Sequence, residues 1–420
     1  MDRRLDVDAA DVTTEVGGGA PLRQVFTDTL AYARTRDYRG WDYADGMSSR
    51  LLRWLPFEHK WVNLGVQEVV KRAPVNLRPL FLVEQRRNFK GTGLFAMANL
   101  AAADLASEAV LAANPAAYER EAASLLEWLL DNQCDGYRGF CGTHQHVIQG
   151  LDHQGLPSEP DLVSTAYGVK ALLAGASLDG RYADVARTAA EFAREDMDYR
   201  EVPDGAKIRY FPKHPDDCYT LNAGAIAARL FLDLYDHFGD ESLLEPGERL
   251  LDFVASRQTE VGGWYYRDPP ERSHLGMDNH HNGFILEALL RHREVTGTDR
   301  YRDVLAAGLD FYRTVLYDDD GAPNFSETSA YPRDIHAATQ GILVFTYADD
   351  LAFARRIVDW TLDNLYVGGG RFVYRQQRHY TKRITLMRWC QAWMAYALGV
   401  HLTTALDAPQ YSTHYKAALP

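Results

Sequence analysis

Two stretches of the chain, DNHHNG at residues 278–283 and DIHAATQ at 334–340, each set an aspartate two or three residues ahead of a histidine at the head of an apolar run. An imidazole titrates near neutral pH. Two of them beside one sugar ring can therefore take a proton from one face of a carbon and return it to the other. Asp278 and Asp334 stand where a helix N-cap belongs, a role worth about 1 kcal/mol each. On a helix, His280 and His281 point roughly 100° apart, so one can enter a cavity while the other packs sideways. Gly283 permits close approach of a ligand or a neighbouring helix, which favours His281 for the cavity and leaves His280 at its rim. His336 falls in the first turn of the second run, and Gln340 lies one turn below it. His281, His336 and Asp278 are the expected catalytic groups, with Gln340 as a binding group.

Further polar groups sit at the heads of other apolar runs. HPDDCYTLN (214–222) offers Asp216 and Asp217 as carboxylates, and Tyr219 and Asn222 as hydrogen-bonding groups for sugar hydroxyls. In KRITLMRWCQAWMAYA (382–397), Arg388 and Gln391 interrupt an otherwise apolar helix. A buried arginine needs an anionic partner, either a protein carboxylate or a bound one. Trp41, Trp264, Trp389 and Trp393 carry faces on which a sugar can stack, although aromatics at helical spacing are commonly core. Trp264, in a glycine-rich turn, is the best placed of them, and Trp389 adjoins Arg388. Asp45, Asp217, Asp278 and Glu327 are the acids open to a hydrolytic mechanism, which needs two carboxyls at a defined separation.

Other chemistries are disfavoured. His144, His146 and His153 in GTHQHVIQGLDH have a metal-like spacing but no HExxH pattern, so no metal is expected there, and no cofactor is required elsewhere. LYDDDGAP (316–323) closes a helix and reads as an Asp/Gly turn. The four cysteines, Cys134, Cys141, Cys218 and Cys390, lack paired metal spacing and read as reduced thiols. A net charge of -13 argues against a nucleic-acid partner, because phosphate binding along a duplex needs clustered basic residues. Only eight of the 45 basic residues are lysine, a bias that fits a high-salt cytoplasm or a GC-rich genome. No window approaches the ~20 apolar residues of a membrane span, and the N-terminus carries no apolar signal core. A soluble, cytoplasmic protein is expected.

The elements that must position these groups repeat along the chain. An amphipathic helix ends, a glycine-containing turn with an aromatic follows, and after a variable loop comes a helix that is apolar nearly all round. The turns are RDYRGWDYADG (36–46), CDGYRGFCG (134–142), PDGAKIRYF (203–211), EVGGWYYRD (260–268), DDDGAPNFSE (318–327) and VGGGRFVYR (367–375). A helix with one wet face lies outside, and a helix without a polar face must be buried. Six such outer–inner pairs predict an all-α fold, an (α/α)6 toroid around a central cavity. The heads of the inner helices then surround the cavity mouth, where unpaired backbone NH groups favour anions. The toroid is expected over 19–407, with an insertion at about 47–90 forming a lid or funnel wall. Residues 1–18 and 408–420 read as flexible ends.

With the hairpins placed, YRGWDYADGMSS, NFKGTGLFAMANLAA, DNHHNGFILEALLR, DIHAATQGILVF and MRWCQAWMAYAL together resemble a family of (α/α)6-toroid carbohydrate-active proteins of surface-polysaccharide and glycoprotein-glycan assembly. The resemblance spans about residues 22–402. It implies that His281, His336 and Arg388 line the cavity; from the residues themselves, Tyr219, Asn222, Trp264, Gln340, Trp389, Asp217 and Asp45 are the further expected substrate-binding positions. It also implies a glycan or lipid-linked oligosaccharide as substrate, with any membrane contact made through the lipid. The expected activity is an isomerase or epimerase acting on a uronic acid, with Arg388 holding the carboxylate. A glycoside hydrolase or lyase of the same fold, or a non-catalytic glycan-binding scaffold, are the alternatives.

Overall fold

The computed structural model describes residues 21–54, 59–149, 154–213 and 219–406. The expectations for the two termini, and for Asp216, Asp217, Cys218 and His153, lie outside the described residues. Fourteen α-helices are found among the described residues, with short two- or three-residue strands between them. The helices are α1 (Leu22–Arg34), α2 (Arg50–Arg53), α3 (Lys60–Arg72), α4 (Phe89–Ser107), α5 (Pro115–Asp131), α6 (Leu162–Ala174) and α7 (Arg181–Glu191), followed by α8 (Leu221–Phe238), α9 (Glu241–Ala255), α10 (Asn279–Thr296), α11 (Arg302–Val315), α12 (Ile335–Tyr347), α13 (Leu351–Leu365) and α14 (Trp393–Ala405).

Six of these form a closed inner ring. α4 packs on α6, α6 on α8, α8 on α10, α10 on α12, α12 on α14, and α14 returns to α4. Each inner helix is covered by the outer helix that follows it, and α1 covers α14. The division follows composition: α6 is buried along its whole length, whereas α11 buries only Leu305, Gly308, Phe311 and Tyr312, one face at 3–4 spacing. Four inner helices open on an Asx cap. Asn88, Asp161, Asp278 and Asp334 accept from the backbone NH groups of Gly91, Ser164, His281 and His336. The last inner helix instead enters through a π-helical turn, Met387–Ala392, which holds Arg388 and Gln391.

The turn glycines explain how neighbouring repeats lock. At Gly139, where φ is +102°, a Cβ would lie 2.2 Å from the carbonyl oxygen of Thr188 on α7. The same approach to the next outer helix recurs at Gly205, Gly262 and Gly321. Gly370 makes it against Asp28 of α1, so the sixth repeat closes onto the first by the device that joins the others. Part of the insertion packs against the segment between α5 and α6. α3 is held by Gln67 Nε2 donating to the Gln149 carbonyl at 3.0 Å and by Gln149 NH donating to Gln67 Oε1 at 2.9 Å. Among the described residues, no helix is long and apolar enough to cross a membrane.

Candidate functional site

Imidazoles gather where α10 and α12 begin side by side. Asp278 caps α10 and accepts from His281 Nδ1 at 2.8 Å, while His280 Nδ1 lies 3.3 Å from its other oxygen. The His280 and His281 ring centroids are 3.9 Å apart, and the His280 and His336 centroids 4.8 Å. His336 is sandwiched against Trp389, stacked at 4.4 Å, and meets the edge of Trp393 at 4.6 Å. Both nitrogens of His336 lack hydrogen-bond partners, although the residue is buried. Burial pushes His280 down to about 3 and His336 well below the usual imidazole range, so both are neutral bases at pH 7. Burial alone would raise the Asp278 carboxyl, but the two imidazoles and the His281 amide bring it below its ordinary value.

The ring order puts α4 diametrically across from α10, and α6 across from α12. Lys90, in the first turn of α4, is buried and has no hydrogen-bond or ion-pair partner among the described residues. Its ammonium lies 5.8 Å from the Trp393 ring centroid and 6.0 Å from that of Tyr167. Burial, reinforced by Arg388, holds it down to about 7. Across from His336, His144 Nδ1 pairs at 2.6 Å with Asp161, the cap of α6. The heads of the inner helices thus bring three imidazoles together at α10 and α12, with a lysine at the start of α4 and an aspartate-held imidazole before α6 on the opposite side of the ring order.

Several expected positions take other roles. His280 does not sit at the rim: its ring lies between His281 and His336, while His281 leans on Tyr266 at 4.4 Å. The reason is Gly283, whose missing side chain admits Gln340 and the Tyr312 hydroxyl rather than a ligand. Arg388 finds a protein carboxylate, its Nε donating to Asp42 at 2.7 Å. Asp45 stands behind that pair, bound to Arg78 at 2.7 Å, with its carboxyl pushed up to about 6 by burial. Trp264 is core rather than a stacking platform, its ring against Gly308 and its Nε1 donating to the Val254 carbonyl at 2.9 Å. Gln340 donates to Glu287 at 3.0 Å, below the imidazoles. Trp389 is half-buried at the site but pinned, donating to Asp334 at 2.9 Å and stacking on Tyr43 at 4.5 Å. Tyr219 and Asn222 are buried at the head of α8, with the Tyr219 hydroxyl and Asn222 Oδ1 unpartnered. Glu327 accepts from the Met277 NH at 3.0 Å, next to Asp278.

Two residues at the mouth carry weak sequence signals. Lys90 looked like one more basic residue of EQRRNFK, yet it is one of eight lysines and opens an apolar helix. His144 precedes Asp161 by 17 positions, and no local pattern joins the two. Asp278, His280 and His281 offer three donor atoms within 4.8 Å of one another, enough to reach one cation. The Asp278 oxygen and the His281 nitrogen that would serve are already hydrogen-bonded to each other.

No protein-family model matches the chain, and no curated protein matches it. Solved structures do. The cellobiose 2-epimerase from Bacillus thermoamylovorans B4167 superposes with a TM-score of 0.60 at 16% identity, over 76% of this chain and 89% of that one. A D-mannose isomerase gives 0.57 at 10% identity, over 76% and 87%. The family 76 glycoside hydrolase (mannosidase) Bt3792 from Bacteroides thetaiotaomicron VPI-5482 gives 0.58 at 10%, over 92% and 98%. Identities this low speak for architecture, and with the closed six-membered inner ring they place the chain among the (α/α)6 toroids.

Proposed function

We propose that the protein is a sugar isomerase or epimerase acting on a uronic acid of a glycan or lipid-linked glycan. The observation that carries this reading is the gathering of titratable groups at the heads of inner helices that lie opposite one another in the ring order. A sugar ring needs its proton-transfer groups on opposite faces, and His280 and His336, with centroids 4.8 Å apart, belong to one face. On the opposite side of the ring order from α12, beside the cap of α6, stands His144, paired with Asp161. In this mechanism neutral His336 or His280 takes the proton from the carbon beside the carboxylate. Negative charge then spreads onto the carboxylate, which Lys90 holds in place of Arg388. His144, paired with Asp161, is the group that returns a proton to the opposite face, inverting the centre. Tyr219 and Asn222 position hydroxyls. His281, fixed on Asp278, orients His280 by contact.

That two structural neighbours are a cellobiose 2-epimerase and a D-mannose isomerase supports this class of reaction. The resemblance read from the HNG, DIHAA and RWCQAW segments to toroid proteins of glycoprotein-glycan assembly is the ground for a setting in surface-glycan assembly. The mannosidase neighbour keeps a hydrolase as the second reading, with Glu327 as an available acid. Incubation with uronic-acid glycans in deuterated water separates them. Carbon-bound deuterium without chain cleavage is expected, whereas new reducing ends point to hydrolysis and binding alone to a scaffold. His336→Ala and His144→Ala should each slow exchange at least about 100-fold; full exchange in both would end the proposal.

A further inference from the structure

A second recess lies on the face of the ring where the inner helices begin, at the seam between the first and sixth repeats. Its volume is about 250 Å³, and its walls come from the turn after α1, the insertion and the loop before α14. Four arginines line it, Arg36, Arg39, Arg371 and Arg383, with the amides of Asn76 and Gln85, and none of its twelve lining residues is acidic. That is unusual in a chain of net charge -13. Arg39 pairs with Asp37 at 3.1 Å, and Arg36 donates to the Tyr32 carbonyl at 3.0 Å. Arg371 and Arg383 have no carboxylate partner among the described residues. Arginines and amides lining one recess, with no carboxylate among the lining residues, match a tetrahedral oxyanion, which accepts paired N–H donors.

We infer that this recess is a binding site for a phosphate-class anion, a phosphomonoester or a diphosphate, carried by whatever is attached to the sugar. Its size supports that scale, because drug-sized ligands occupy about 300–1,000 Å³ and this site takes a group rather than a whole glycan. Its position supports the link to the ring. Gly40, Trp41 and Met387 form a wall shared with a smaller recess lined by Asp42 and Arg388. Val75, strongly exposed, is the chain neighbour of Asn76, so an exposed apolar side chain adjoins one lining residue of the recess. The anion can thus belong to a lipid-borne phosphate or to a soluble phosphoester.

Inorganic pyrophosphate is the probe, titrated calorimetrically into the full chain at low ionic strength without turnover, so the result is independent of the histidine chemistry. Binding that weakens with added salt is expected. The double variant Arg371→Gln with Arg383→Gln should weaken it at least about tenfold, while Arg138→Gln, an exposed arginine elsewhere, leaves it unchanged. Circular dichroism of the double variant establishes that it folds. Absence of pyrophosphate binding, or equal binding by the double variant, overturns the inference. Sedimentation with vesicles containing an anionic phospholipid identifies the source: capture that pyrophosphate displaces supports a lipid-borne phosphate, and pyrophosphate binding without capture supports a soluble phosphoester.

Discussion

Lys90 and Arg388 are both cations buried at the mouth of the ring, yet they are in different electrostatic states. Arg388 has its counter-charge in Asp42, and Asp45 with Arg78 holds that carboxylate's loop in place. Lys90 has no ion-pair partner among the described residues, and its burial leaves an ammonium that loses its proton near pH 7. The charged groups around it are Arg388, Asp161 and Asp42, with His280 and His336 facing it across the ring. Asp42 and Asp161 stay ionised, held below the ordinary carboxylate value, and the two imidazoles stay neutral, so Lys90 is the group of this set that titrates near neutrality. An anionic sugar favours the protonated lysine. Below pH about 7 its affinity should be flat; above it, binding must take up a proton, and the dissociation constant should rise about tenfold per pH unit. Titrating a non-reacting uronate at several pH values checks this, and Lys90→Arg should flatten the profile. A Lys90→Met variant that binds as well as the parent would remove the lysine from the site.

At the scale of elements, the repeat is held by backbone contact more than by side-chain matching. Gly370, at φ +71°, brings the turn before α14 onto α1 so closely that a Cβ would lie 2.1 Å from the Asp28 carbonyl oxygen. Gly368, at φ +84°, has the same kind of backbone conformation but open space around it. Gly368→Ala should therefore cost only the left-handed strain, about 1–2 kcal/mol. Gly370→Ala adds a clash against backbone that cannot rotate away and should lose about 2 kcal/mol more. Urea denaturation of both variants tests this, and equal losses would show that the seam does not depend on the contact.

The whole molecule encloses a second set of charges beneath the imidazoles. Glu287 of α10 takes Lys170 of α6 at 3.3 Å, Arg229 of α8 and Gln340 of α12 at 3.0 Å, so one carboxylate ties four inner helices across the axis. Burial and Arg229 hold Lys170 down to about 7, while the two cations keep the Glu287 carboxyl below its ordinary value despite burial. Such a network breaks asymmetrically, because removing one partner strands the others in a low dielectric. Glu287→Gln keeps the shape and removes the charge, and it should cost about 3–5 kcal/mol of unfolding free energy. A loss under about 1 kcal/mol in denaturant titration would mean that water already reaches these groups.

By itself, the sequence determined the architecture. Helices without a polar face, such as GTGLFAMANLAAADL, have to be inside, and the glycine turns that separate them from amphipathic helices recur often enough to close a ring. It also marked Asp278 and Asp334 as caps, because a cap is decided within three residues of chain. What each cap's carboxylate does with its remaining lone pairs was left to the fold. Asp161 meets His144 across a loop, Asp334 meets Trp389 and Arg375 from the next repeat, and Arg388 finds Asp42 across 346 residues of chain. Whether His280 or His281 turns toward His336 depended on Gly283 admitting Gln340, a contact between two helices that neither segment encodes alone. Helix pattern and caps are short-range, so they can be read in order along the chain. Counter-ions and facing walls are pairings between distant segments, which exist only once the ring has closed.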